Sequence, residues 1–227
     1  MVSLLLSGLA PAPVPAQQAP LSAVSFQFSR PGLEVPRFTL VIHEDGSGSY
    51  QADVVEALPA KFAAYAPAAD TPPTTHHIDR TITISPPTVQ KIFSTARSLK
   101  LFNIPCASKA KNIADTGTKT LSYDGEGGSG SCTYNYSDNK TVFQLTELFQ
   151  AIAFTMDQGR KLEYDHRYDR LGLDSDMTLL NKSVDEKNAV ELGNIAPILS
   201  AIAVDTALIE RVRLRASQLL TQAAESH

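Results

Sequence analysis

Apolar and polar side chains alternate in short runs near the start of the chain. Val24, Phe26 and Phe28 are separated by Ser25 and Gln27, the period of two that turns one face of a strand inward. Residues 38 to 43 predict a second strand. The turn residues EDGSGSY lead from it to a third over residues 50 to 55, making a hairpin. Residues 57 to 76 are rich in Ala and Pro and predict a long surface loop. Alternation resumes at IDRTITI, with Ile78, Ile82 and Ile84 on one side.

The period then changes. Ser85 is placed to be an N-cap, with Pro86 at the first helical position, where a missing N–H is harmless. Val89, Ile92, Phe93, Ala96 and Leu99 form the apolar stripe of a helix that ends at Asn103-Ile104-Pro105. Lys119, Leu121 and Tyr123 share one face of a following strand, and Cys132, Tyr134 and Tyr136 share a face of its partner across a glycine-rich tip. A second helix has Val142, Leu145, Leu148, Phe149, Ile152 and Met156 as its buried stripe.

Beyond Gly159 the strand signals stop, and residues 160 to 227 predict two to four helices. Asn194 and Asp205 are placed as N-caps. Ile195, Ile198, Leu199 and Ile202 make one stripe; Leu208, Ile209, Val212, Ala216, Leu219 and Leu220 make another. The fold class is therefore α+β: an antiparallel sheet of about five to six strands covered by two helices, with an added helical C-terminal region. The segments are 1–20, a signal peptide or Pro/Ala leader; 21–158, the sheet domain; and 159–227, the helical region.

Composition narrows the function classes. A net charge of -4 over 227 residues argues against a general nucleic-acid surface, which needs clustered Lys and Arg. Trp is absent and aromatics are 7%, so stacking platforms for sugars or single strands are not favoured. The first twenty residues carry no charge, and Val2 to Ala10 are too short an apolar run to span a bilayer. With the small residues Val14 and Ala16 after them, they read as an export signal lacking its basic start. Cys106 and Cys132 are the only cysteines, and one pair in an exported chain reads as one disulfide. Closing that loop is worth about 3 kcal/mol on the chain-entropy model.

Two stretches suggest chemistry. Asp115-Thr116-Gly117 matches the tripeptide of aspartic proteases, which need two aspartates sharing a proton. No second copy occurs, so only a dimeric, retropepsin-like enzyme using Asp115 fits. Gly125, Gly127 and Gly130 satisfy G-x-G-x-x-G, but a strand follows them where a phosphate site needs a helix. Both features read more simply as a turn feeding a Thr-rich strand and as a hairpin tip. The second stretch, residues 163 to 176, holds Glu163, Asp165, His166, Asp169, Asp174 and Asp176. Interleaved Arg167 and Arg170 make ion pairing the plainer reading than metal binding. Tyr164 and Tyr168, one turn apart, suggest a helix face that docks on something. His76-His77 with Asp79 is compact, but adjacent side chains of a strand diverge. No cofactor and no metal are expected.

The order of EDGSGSY, a returning strand, the helix SPPTVQKIFSTARSLKLF, DTGTKTLSY, a hairpin and KTVFQLTELFQAI resembles a family of uncharacterised secreted bacterial domains over about residues 24 to 158. In that family an Asp precedes a Thr-rich strand after the helix, as Asp115 precedes Thr118 and Thr120. The resemblance implies a secreted or envelope-associated sheet-plus-helix domain and carries no activity. The long Ala/Pro loop and the helical C-terminal region depart from it.

The expectation is an exported, non-enzymatic binding or scaffold domain of the bacterial envelope, periplasmic or extracellular. Its partner would be an envelope protein or a second copy, met through the C-terminal helices, with no nucleic acid and no transmembrane segment. Weak binding candidates are Tyr164, Asp165, His166, Tyr168 and Asp169. The alternatives are a hydrolase, built on Asp115 or metal-dependent through residues 163 to 176, and a small secreted inhibitor presenting the 125–130 tip.

Overall fold

The computed structural model describes residues 21–55 and 74–225. The leader and most of the Ala/Pro loop lie outside these residues. Six antiparallel strands form one sheet in the order β4-β3-β2-β1-β5-β6: β1 Ala23–Ser29, β2 Arg37–His43, β3 Ser47–Val55, β4 Thr75–Thr83, β5 Thr118–Gly125 and β6 Gly128–Tyr134. Strand β4 begins at Thr75, so His76 is strand and not the end of the expected loop. The register aligns Val24, Phe26 and Phe28 with Ile42, Leu40 and Phe38 on one side and with Tyr123, Leu121 and Lys119 on the other. One row of the pleat is thus apolar across the central strands, Lys119 excepted.

Helices α1 (Pro86–Ser98) and α2 (Lys140–Tyr168) cover that row. Phe149 of α2 stacks on Phe26 at 5.1 Å, and Phe93 of α1 meets Tyr123 edge-on at 6.3 Å. Aromatic pairs of this kind add about 0.5–1.5 kcal/mol beyond the area they bury. The opposite face is polar and, among the described residues, carries no helix: Gln27, Gln51, Asp79, Thr81, Ser131 and Thr133 are all exposed. Cross-strand hydroxyl pairs bridge it, Thr120 to Thr133 at 3.0 Å and Ser122 to Ser131 at 3.2 Å.

A second core lies on the C-terminal half of α2. Leu162 joins Leu173, Met177 and Leu180 of α3 (Leu173–Asp185), Ile198, Leu199 and Ile202 of α4 (Ala196–Val204), and Val212, Ala216 and Leu219 of α5 (Glu210–Glu225). Helix α2 has 29 residues and runs without a break through position 159. Gly159 lets Ile195 pack directly on the helix backbone, because a Cβ there would sit 2.3 Å from the Ile195 side chain. Two further ties join the layers: Arg80 of β4 forks onto Glu163 at 2.6 and 2.7 Å, and Arg160 reaches Glu34 at 2.7 Å.

Several local expectations are corrected. Asn194 caps no helix; its amide accepts Thr83 N–H at 2.8 Å and donates to Thr83 O at 2.9 Å, standing in for the next strand at the sheet edge. Asp205 turns its own backbone by accepting Ala207 N–H. Ser85 does sit at the N-cap of α1, yet its hydroxyl bonds Glu191 and the Thr88 hydroxyl instead of a helix N–H. Ile209 precedes α5 and is exposed, and Tyr136 lies past the end of β6, also exposed. Among the described residues, no helix is long and apolar enough to cross a membrane.

Candidate functional site

Asp115 sits in a turn whose bonds are local. Its Oδ1 accepts Gly117 N–H at 2.9 Å, and Gly117 takes φ +91°, a left-handed conformation that favours glycine. A Cβ at Gly117 would also lie 2.7 Å from the Phe28 ring. Thr116 bonds Asn135 through its N–H and hydroxyl. Lys119, only 6% exposed, drives its ammonium under this turn. Its Nζ donates to Thr116 O, Gly117 O and Asn135 O at 2.8 to 3.0 Å and lies 5.7 Å from the Phe28 ring. Burial lowers the Lys119 pKa, while the Asp115 charge opposes that. The Asp-Thr-Gly-Thr-Lys run is therefore a lysine-pinned turn at the mouth of β5. Its lysine was readable as a core-facing position, but its carbonyl partners were not.

The glycines have separate duties. Gly125 and Gly128 flank the two-residue turn Glu126-Gly127, and Gly127 has φ +90°. Gly130 is different: a Cβ there would fall 2.1 Å from Leu101 O. Lys100, Leu101 and Phe102 form a left-handed turn, with φ of 54°, 55° and 64°. Left-handed backbone costs roughly 1–2 kcal/mol per non-glycine residue. Three features hold the turn. Phe102 is fully buried, Asn103 Nδ2 donates to Ser129 O at 3.0 Å, and Cys106 and Cys132 are joined as a disulfide with Cα atoms 5.8 Å apart. The expected disulfide thus anchors the end of the α1 segment against β6.

The acidic stretch spreads onto several partners. Glu163 belongs to Arg80. His166 Nε2 lies 3.0 Å from Asp205 Oδ2, which Arg170 also approaches at 3.5 Å. Asp174 takes Arg211 at 2.6 Å and Arg215 at 2.8 Å. Asp165 is hydrogen-bonded to Asp176 across the α2–α3 corner; burial, that bond and the charges of Asp176 and Asp169 push its carboxyl up to about 7. Asp169 ends α2, its N–H on Asp165 O at 3.0 Å. The rings of Tyr164 and Tyr168 lie 5.1 Å apart and are 58% and 71% exposed, with Leu171 93% exposed beyond them. Arg167 is exposed on the same stretch.

His77 Nδ1 is 3.0 Å from Asp53 on the neighbouring strand, and Asp79 takes Gln51 Nε2 at 3.2 Å. The compact His-His-Asp run is thus divided between cross-strand partners. Among the described residues, no group of three or more His, Cys, Asp or Glu side chains is arranged to hold a metal ion. What stays exposed at the α2–α3 corner is the tyrosine pair and Leu171. Compared with models of known protein families and with curated protein sequences, the chain matches none.

Proposed function

We propose that the protein is an exported, non-enzymatic binding domain of the bacterial envelope that docks a partner protein through the α2–α3 corner. The carrying observation is the exposed Tyr164–Tyr168 pair continued by Leu171. Large amphipathic rings held on a helix, with arginines beside them, are the side chains that dominate protein contacts, because they bury area while losing little rotamer freedom. The corner is preorganised by the Asp165–Asp176 and His166–Asp205 bonds behind it, which lowers the entropic cost of docking. The apolar, uncharged leader and the disulfide support export.

A photo-crosslinking residue at position 168 in the full chain, expressed in a bacterial host, tests this reading. A crosslinked partner at 168, absent when the probe stands at Thr133 on the bare sheet face, is expected. Fractionation should place the chain outside the cytoplasm. Equal crosslinking at both positions, or retention in the cytoplasm, would overturn it. A band at twice the chain mass would identify a second copy as the partner.

A further inference from the structure

At one end of the sheet, the β2–β3 turn stands against α1 and leaves a groove of about 440 Å³. That volume falls in the range of small-molecule sites. The floor is apolar, made by Ile84, Val89 and Phe93. The turn is rigid: Gly46 takes φ +87°, its N–H reaches His43 O, and its carbonyl accepts Ile84 N–H at 2.8 Å.

The rim is charged and unbalanced. Glu44 pairs with Arg97, whose guanidinium lies 5.9 Å from the Phe93 ring centroid. Asp45 Oδ1 is occupied by Ser47 N–H and hydroxyl, which favours the charged carboxylate and holds it in the turn. Two rim carboxylates, Glu44 and Asp45, thus stand against one guanidinium, Arg97. Lys91 is exposed and does not line the groove.

We propose that this groove receives one basic side chain, arginine or lysine, of a partner polypeptide, its stem on Val89 and Phe93 and its cationic head at Glu44 and Asp45. An apolar guest would desolvate the rim charges without partners, and an anionic guest would meet a surplus of like charge. A basic side chain satisfies both layers, since its methylenes cover apolar surface while its head stays at the rim. The inference is independent of the α2–α3 corner.

The probes are N-acetyl-Gly-Arg-Gly-amide, its citrulline analogue of the same shape without charge, and its glutamate analogue. Each is titrated into the full chain while the Gly46 amide and Val89 methyl NMR signals are followed. The arginine peptide should give saturable shifts, with the citrulline peptide binding about fivefold more weakly, the upper range for one exposed ion pair. Asp45→Asn, which keeps the turn bonds, should weaken the arginine peptide by about threefold to fivefold. Ser94→Trp, at an exposed position of the groove wall, should abolish the shifts with the thermal midpoint retained. Equal binding of the arginine and citrulline peptides, preference for glutamate, no saturation, or insensitivity to Ser94→Trp would each overturn the proposal. Loss of corner crosslinking at position 168 would leave these titrations unchanged, so the two readings fail separately.

Discussion

Glu191 closes on Ser85 from 106 residues downstream, accepting its N–H at 2.8 Å and its hydroxyl at 2.7 Å. Both residues are buried, and Glu191 holds a left-handed backbone to make the reach. The carboxylate thereby serves the start of α1 from the helical region. Hydrogen bonds to a charged group contribute about 1.5–3 kcal/mol, and a buried donor left alone costs as much. Glu191→Ala should therefore lower stability by about 2–4 kcal/mol, and Ser85→Ala by less. A double-mutant cycle in urea should return a coupling of about 1 kcal/mol or more. If Glu191→Ala costs no more than Glu186→Ala at an exposed position, the link contributes nothing.

Lys119 gives a second expectation. Lys119→Met keeps the stem but strips the donors from Thr116 O, Gly117 O and Asn135 O, and should cost about 1–3 kcal/mol. Asp115→Asn retains the acceptor for Gly117 N–H and should stay within about 1 kcal/mol of the parent. Chemical unfolding of the two variants checks the order. A larger loss at Asp115 than at Lys119 would show that the lysine does not pin the turn.

Asp165 makes stability fall with pH. Its carboxyl is raised from an ordinary 3.8 to about 7, so between those values the folded chain holds a proton that the unfolded chain has released. Stability from this group is present below about pH 4 and is lost as pH rises through about 7, with no further change above. The side chain is partly open to solvent, so the slope is shallow. Asp165→Asn should flatten the pH dependence of the thermal midpoint between pH 4 and 7. An unchanged profile would mean that Asp165 and Asp176 share no proton.

The left-handed turn predicts a stabilising glycine. Lys100 is exposed at φ 54°, so Lys100→Gly removes the Cβ conflict at the cost of some unfolded-state entropy, a net gain of about 0.5–1 kcal/mol. Gly130→Ala should do the reverse, by about 1–3 kcal/mol, because its Cβ meets the Leu101 carbonyl. Thermal melts of both variants, with the disulfide intact, measure this. A destabilised Lys100→Gly would mean that its side chain matters more than its backbone.

Much of the fold was legible because a sheet with one bare face writes its orientation into every second residue. Val24, Phe26, Phe28, Leu121 and Tyr123 are core residues for that reason, and the stripe from Val89 to Leu99 is buried as its spacing predicts. What stayed hidden is polar and long-range. Asn194 looks like an N-cap in isolation, and only the fold shows that Thr83 is its partner. Lys119 fills an apolar slot in the alternation, and nothing nearby announces the carbonyls that accept it. Glu44, Asp45 and Arg97 sit in a turn and a helix more than 50 residues apart in sequence, so their groove has no local signature. The corner was partly legible: the spacing of Tyr164 and Tyr168 put both rings on one side of a helix.

Helix α2, at 29 residues, is a rod of about 43 Å, and each half belongs to a different core. A cleavage or deletion that parts the cores must sever it, stripping the sheet of Phe149 or the bundle of Leu162. Shortening the chain from its C-terminus would also remove Glu191 and leave Ser85 unmatched. The sheet and the bundle are thus spliced through one helix, and a fragment holding either half would carry part of an α2 stripe with no core to bury it.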